Sequence, residues 1–242
     1  MVLYTVYIND LLKELNNNVN GLCVEDVKVT SPAHADDLAL LTLYKKGLNA
    51  LLSIAYKYSI KWRYSYNLSK TALLIWGHDK EPDTNVLFGE EILDKCTNCK
   101  HMGITLVTET SMNRSVICTR VGNCRGMLYA SRGLGSTSVP VAPNVLSKLY
   151  WSVCIPKMTY GLEVTPVTDT CIEILEKAHR YHANIIQNVP QSTPRPAPMA
   201  TLGWLSIQAY IALIQIMFLF RVLCLEPSSI YKRVMKSCLH KF

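Results

Sequence analysis

The sequence predicts an α+β chain in which a mixed front half, ending near residue 108, gives way to a rear built only of helices. Three observations lead there. Strand-like and helical patterns alternate before Thr108, and helical spacing alone governs after it. Charge divides in nearly the same place. Residues 1–94 carry 9 Lys or Arg against 12 Asp or Glu, a net of −3, and residues 95–242 carry 16 against 6, a net of +10. Two modules, 1–108 and 109–242, are therefore expected. An acidic front suits a carboxylate site that holds metal, and a basic rear suits a phosphate backbone. With 49% apolar residues the 242-residue chain has enough to build a core, which excludes wholesale disorder.

Taken in order, residues 2–15 read as a helix that ends at Asn16, Asn17 and Asn18, with Gly21 as the stop. Gly21–Thr30 alternates as a strand, and Ser31-Pro32 suits a strand start. Leu38–Leu43 is apolar on both faces, the pattern of a strand covered on both sides. Leu48, Leu51, Leu52, Ala55 and Ser59 place an amphipathic helix over 45–61. Ala72–Trp76 is a short strand, Asn85–Phe88 and Glu91–Leu93 flank Gly89-Glu90 as a hairpin, and Met102–Val107 is one more strand. Beyond these, Ile117, Val121, Cys124 and Leu128 share a helical face. Val145, Leu149 and Val153 do the same, with Pro156 as the stop. Ile172–Gln187 and Leu205–Leu225 are further helices, and the four prolines of Pro190–Pro198 make an extended connector.

The most informative pair is Asp36-Asp37, between the first two strands. Adjacent carboxylates repel, by about 1 kcal/mol at 4 Å in water and several times more near a protein surface. Set beside an apolar strand, they call for a cation. A tight turn would project both from a sheet edge, the arrangement nucleotidyl transfer uses to hold two Mg²⁺ ions. The competing reading is an acidic surface turn.

The surroundings of that pair carry a resemblance. Tyr7-Ile8-Asn9-Asp10-Leu11-Leu12 is followed by Ala35-Asp36-Asp37-Leu38, Asn67-Leu68-Ser69-Lys70-Thr71 and Lys100-His101-Met102-Gly103-Ile104. Tyr160-Gly161-Leu162-Glu163 and Leu202-Gly203-Trp204-Leu205 come later. In order and spacing these motifs resemble the later part of reverse transcriptases of non-LTR (LINE-type) retrotransposons, over nearly the whole chain. The resemblance implies a partial polymerase palm of antiparallel strands and helices, then a helical, thumb-like region. It implies Mg²⁺ as cofactor and an RNA template with a DNA primer as partner. Asp36 would be a direct Mg²⁺ ligand, Asp37 would support the site and the second ion, and Lys70 would sit near the incoming triphosphate, neutralising charge or protonating pyrophosphate. His101, Met102 and Gly103 would lie at the primer-grip turn, and His34 takes the place of the family's aromatic residue beside the primer end. The family also has a further metal-binding Asp and a fingers region upstream of the Tyr7 motif. Their absence from these residues leads us to expect a truncated form that is inactive alone. It also leads us to expect an apolar strand edge that associates with the missing half or with itself.

The rear has its own claim on nucleic acid. Arg114, Arg120, Arg125 and Arg132 recur through one helix, Lys148 and Lys157 follow on the next, and Tyr129, Tyr150 and Trp151 are interleaved to stack on bases. The competing reading is solvated helix faces over core aromatics. A non-catalytic nucleic-acid-binding module is accordingly the alternative function. Cys96-x-x-Cys99 near His101, and His179 with His182, are zinc candidates without a completing pair, and Cys238 with His240 completes none. Nine cysteines without a secretory signal point to a reducing compartment, with most thiols buried, and so to the nucleus or cytoplasm. Ile207–Leu225 is apolar enough to raise the question of a membrane, but Gln208, Gln215 and Arg221 interrupt it. A buried core helix and no membrane partner are expected.

Overall fold

The computed structural model of the protein describes residues 2–77, 85–108, 114–132, 141–194 and 196–239. It is an α+β chain, with antiparallel two-stranded sheets before Thr108 and helices after it. Two compact units divide it: Met1–Thr108 with Val222–Phe242, and Glu109–Arg221. Residues from Val222 on thus group with the first unit rather than with the helices before them. The side chain of Arg132, and His240, lie outside the described residues.

The first unit is organised around two helices, α1 (Val2–Asn17) and α2 (Lys45–Trp62). Ile8, Leu11 and Leu15 recur every three or four residues on α1 and meet Leu51 and Tyr58 of α2. Leu52 and Ala55, on a neighbouring face of α2, pack with Leu73, Val86 and Phe88. The one helix thereby serves two separate small cores, each fully buried Leu contributing about 1.5–3 kcal/mol. It stops where Arg63 turns left-handed (φ 56°) and returns its N–H to the carbonyls of Ser59 and Ile60.

The described residues of this unit also form four hairpins: β1 (Cys23–Val24) with β2 (Val27–Lys28), β3 (Ala33–His34) with β4 (Asp37–Leu38), β5 (Leu87–Phe88) with β6 (Glu91–Ile92), and β7 (Asn98–His101) with β8 (Ile104–Val107). The Gly89-Glu90 hairpin is as expected. The strand expected at Ala72–Trp76 is reduced to one parallel bridge, Leu73 to Lys95, and β7 was not foreseen. Nor is Leu38–Leu43 covered on both sides. Leu38 and Leu40 reach the core, but the ladder ends at Leu41 and Leu43 is 68% exposed. A two-stranded hairpin has one flank and one face without cover, so an apolar run there is only half buried. In the last segment α9 (Ile230–Leu239) rests on β2 and ties Arg233 to Asp26 at 2.6 Å.

The second unit has one continuous core. Its α3 (Arg114–Arg132) buries Ile117, Val121, Cys124 and Leu128, as the spacing predicts. The next helix corrects two expectations. It runs from α4 (Pro143–Leu149) through a π-turn at Tyr150–Cys154 into α5 (Ile155–Thr159), past Pro156. It buries Leu146, Tyr150, Cys154, Ile155 and Met158, and leaves Val145 52% exposed. The wider π-turn lets buried positions recur every four residues, at Leu146, Tyr150, Cys154 and Met158. It also sets Pro156 in the first turn of α5, where a missing N–H is tolerated.

α6 (Asp169–Gln187) follows and is closed by left-handed Asn188. The proline-rich connector is shorter than expected, because α7 (Pro196–Leu202) forms inside it. The apolar helix α8 (Ile207–Leu223) is half buried, not a core helix. Ile207 and Ile211 face inward, while Leu213, Ile216, Met217 and Phe220 form an exposed stripe, with Phe220 at 67%. No single helix among the described residues is long and apolar enough to cross a membrane. Only Cys124, Cys154 and Cys171 of the nine free cysteines are buried, fewer than expected.

Candidate nucleic-acid and metal site

The hairpin of β3 and β4 is paired His34 to Asp37 and Ala33 to Leu38. The same register continues down the stem, where Ala39 N–H donates to the Pro32 carbonyl and Leu41 N–H to that of Thr30. Two residues, Ala35 and Asp36, make the turn, with Ala35 held at φ 51°. Asp36 therefore stands at the tip, and Asp37 stands at the first strand position opposite His34. Both carboxylates are exposed, and neither side chain has a hydrogen-bond or ion-pair partner among the described residues. Thr30 anchors the base of the stem, fully buried against Gly21. A Cβ on Gly21 would fall 1.8 Å from the Thr30 Oγ1, so only glycine fits there.

The other expected site residues lie on separate turns of the same unit. Lys70 ends a short 3₁₀ helix, Leu68–Lys70, and is exposed. His101 ends β7, and Met102 and Gly103 form a two-residue turn at φ 53° and 77° that joins it to β8. No side-chain hydrogen bond or ion pair joins Asp36 or Asp37 to Lys70 or His101 among the described residues. No group of three His, Cys, Asp or Glu side chains among them could hold a metal ion. The chain carries an internal counterpart: Glu90 and Glu91 occupy the same turn and first-strand positions in the β5–β6 hairpin, and both are exposed.

In the second unit the basic residues part company. Arg114 and Arg125, eleven residues apart, lie three turns apart on one side of α3 and are exposed. Arg125 sits 4.7 Å over the Tyr181 ring, beside Tyr129, whose hydroxyl bonds that of Tyr181. Arg120 points elsewhere. Its guanidinium donates to the carbonyls of Tyr160 (2.6 Å) and Met158 (3.4 Å), and burial lowers its pKa against the opposing pull of Glu163. It caps α5 instead of facing a ligand. Lys148 and Lys157 are exposed, Lys157 lying 3.5 Å from the Met127 sulfur.

Tyr150 and Trp151 are core aromatics, not a stacking platform. Tyr150 is fully buried and stacks on Trp204 at 4.6 Å, and Trp151 meets His179, Trp204 and Tyr210 edge-on. His179 is committed on both ring nitrogens, and His182 on one. The Leu205 carbonyl can only accept, so His179 Nε2 carries the proton of that 3.0 Å bond. Its Nδ1 then accepts from the Tyr150 hydroxyl at 2.8 Å, and the Tyr150 oxygen faces His182 Nδ1 at 3.4 Å. Both rings are held at a pKa of about 4, by burial first. With both His179 nitrogens engaged, the pair has no joint metal site to offer.

Two stretches free of acid emerge at finer grain than the halves. Residues 110–162 hold six Lys or Arg and no Asp or Glu, and residues 38–78 hold six and none as well. The second lies inside the nominally acidic front and encloses a run of aromatics, Tyr56, Tyr58, Trp62, Tyr64 and Tyr66. No family model matches the chain, and no curated protein matches it either.

Proposed function

We propose that this chain is part of an RNA-directed DNA polymerase of the non-LTR retrotransposon kind. In this reading the first unit supplies a portion of the palm, and the helical unit holds the primer–template duplex. The observation that carries the reading is the placement of Asp36 and Asp37. Asp36 stands at the tip of a tight antiparallel hairpin with a buried stem and Asp37 follows it, both exposed and without a hydrogen-bond or ion-pair partner among the described residues. Hard carboxylate oxygens at an exposed turn suit Mg²⁺, which keeps several waters and shares its remaining positions with substrate phosphates. When bound, Mg²⁺ supplies charge neutralisation at the reacting phosphate. The residues do the positioning. The β3–β4 turn presents two carboxylates, Lys70 offers a cation to a triphosphate, and the Met102-Gly103 turn offers its tip to a primer. Arg114, Arg125, Lys148 and Lys157 offer exposed charge to a duplex backbone without reading its sequence.

A second reading, a binding module without catalysis, is favoured by the exposed cations of the acid-free stretch 110–162 and by the absence of a third acidic ligand among the described residues. One experiment separates the two. Binding of a labelled RNA–DNA hybrid, and of a nucleoside triphosphate in Mg²⁺, is measured for the full chain and for Asp36→Asn with Asp37→Asn. The polymerase reading expects hybrid affinity to persist and the Mg²⁺-dependent triphosphate binding to vanish. Triphosphate binding that ignores both substitutions sinks that reading and leaves the module.

A further inference from the structure

The end of α2 carries chemistry that none of the above uses. Trp62 closes the helix and is 43% exposed. Tyr7 of α1 meets it edge-on with ring centroids 5.3 Å apart, and Tyr7 meets Tyr64 at 6.1 Å. Tyr64 meets Tyr66 at 5.3 Å, and their hydroxyls bond at 2.9 Å, so both rings lie on one side of the segment beyond the helix. Tyr66 is backed by buried Phe88 at 5.1 Å, and buried Tyr58 backs Trp62 and Tyr64. A row of half-exposed rings, Trp62, Tyr7, Tyr64 and Tyr66, is thereby fixed by a second layer beneath it.

The row is edged by cations. Lys57 and Lys61 are one turn apart on α2, and Arg63 follows Trp62; all three are exposed. The Lys61 ammonium lies 5.7 Å over the Trp62 ring. With Trp62 43% exposed, part of its ring meets solvent, and the flexible Lys61 makes only a weak interaction there that a stacking base outweighs. Asp10 and Glu14 of α1 are the carboxylates that reach this neighbourhood, through Tyr58, where burial and then Asp10 raise the hydroxyl's pKa.

The geometry points to a binding surface for single-stranded nucleic acid at the C-terminal end of α2, with Trp62 as the base-stacking ring and Lys57, Lys61 and Arg63 as the backbone contacts. Fixed rings beside mobile cations are what sequence-tolerant recognition of unpaired bases requires, and a duplex, whose bases are already stacked, has no use for the rings. The inference stands apart from the hairpin carboxylates and from the basic helices of residues 110–162.

The test uses the full chain and fluorescence anisotropy with oligo(U), oligo(dT) and a duplex of equal length. Trp62→Ala is expected to weaken single-strand binding about tenfold, while Trp62→Phe keeps most of it. Lys57→Glu with Lys61→Glu is expected to lower the salt slope on single strands by about 1.4, two phosphate contacts at about 0.7 each. Unchanged single-strand affinity in Trp62→Ala, with the far-UV circular dichroism of the parent, overturns the proposal. So does an equal loss on the duplex, which would make the surface a general cation patch. Neither result depends on Mg²⁺ or on Asp36 and Asp37, so failure here is distinct from failure of the polymerase reading.

Discussion

In the unit of residues 109–221, Tyr150, His179 and Trp204 stack at the centre of one continuous core. In the other unit Asp36, Lys70, Met102 and Trp62 all sit on turns or at a helix end, over two small cores that share α2. The helical unit keeps Tyr150 and His179 dry and bonded to one another, so damage there shows up as lost stability. The mixed unit displays its polar groups on turns whose shape is local, so damage there alters what is presented before it alters the fold.

The sharpest way to break this contrast is to attack the centre of the helical unit. Tyr150→Ala removes a fully buried ring and the partner of His179 Nδ1, and about 3–5 kcal/mol of stability should go with it in a urea titration. Acid comes next. His179 and His182 are held at about 4, below an ordinary value of 6.5, so the unfolded chain takes up protons that the folded unit refuses. Stability is fully present above pH 6.5 and falls as pH drops from 6.5 to 4. Each ring contributes on the order of 3 kcal/mol, and less where the two charges share one site. Unfolding midpoints across that range should slope, and His179→Phe should flatten them. In the mixed unit, Gly21→Ala drives a methyl into Thr30 at the base of the acidic hairpin. A loss of about 1–3 kcal/mol is expected, with faster amide exchange along residues 30–41. Smallest is Ala35→Gly. It relieves a left-handed alanine (φ 51°) and should stabilise by about 1 kcal/mol, seen as a slightly raised melting temperature.

Most helices were legible because their apolar residues recur at helical spacing: Ile117, Val121, Cys124 and Leu128 lie buried as that spacing requires. The face of the helix through Pro156 was misread because its buried positions, Leu146, Tyr150, Cys154 and Met158, lie one residue beyond the aliphatic Val145, Leu149 and Val153, and spacing alone does not choose between two such rows. The strand Leu38–Leu43 was over-read because an apolar run gives no measure of how many neighbours will cover it. At the site, the Asp36-Asp37 turn was legible from two acids between strand patterns, and the Gly103 turn from its motif. The commitment of Arg120 to the end of α5 was not legible, since a helical repeat of arginines does not say which face meets a carbonyl. The aromatic row at Trp62 was missed because charge was summed over too long a stretch.

For the proposed binding of a divalent ion by the carboxylates at the β3–β4 turn, the β5–β6 hairpin, with Glu90 and Glu91 in matching positions, is a built-in control. Trace Mn²⁺ added to the ¹⁵N-labelled chain should broaden the amides of Ala35, Asp36, Asp37 and Leu38 first, with Mg²⁺ reversing the effect and Asp36→Asn with Asp37→Asn abolishing it. Broadening that is as strong at Glu90 and Glu91 would contradict the account, because the aspartate turn would then be one acidic surface turn among others.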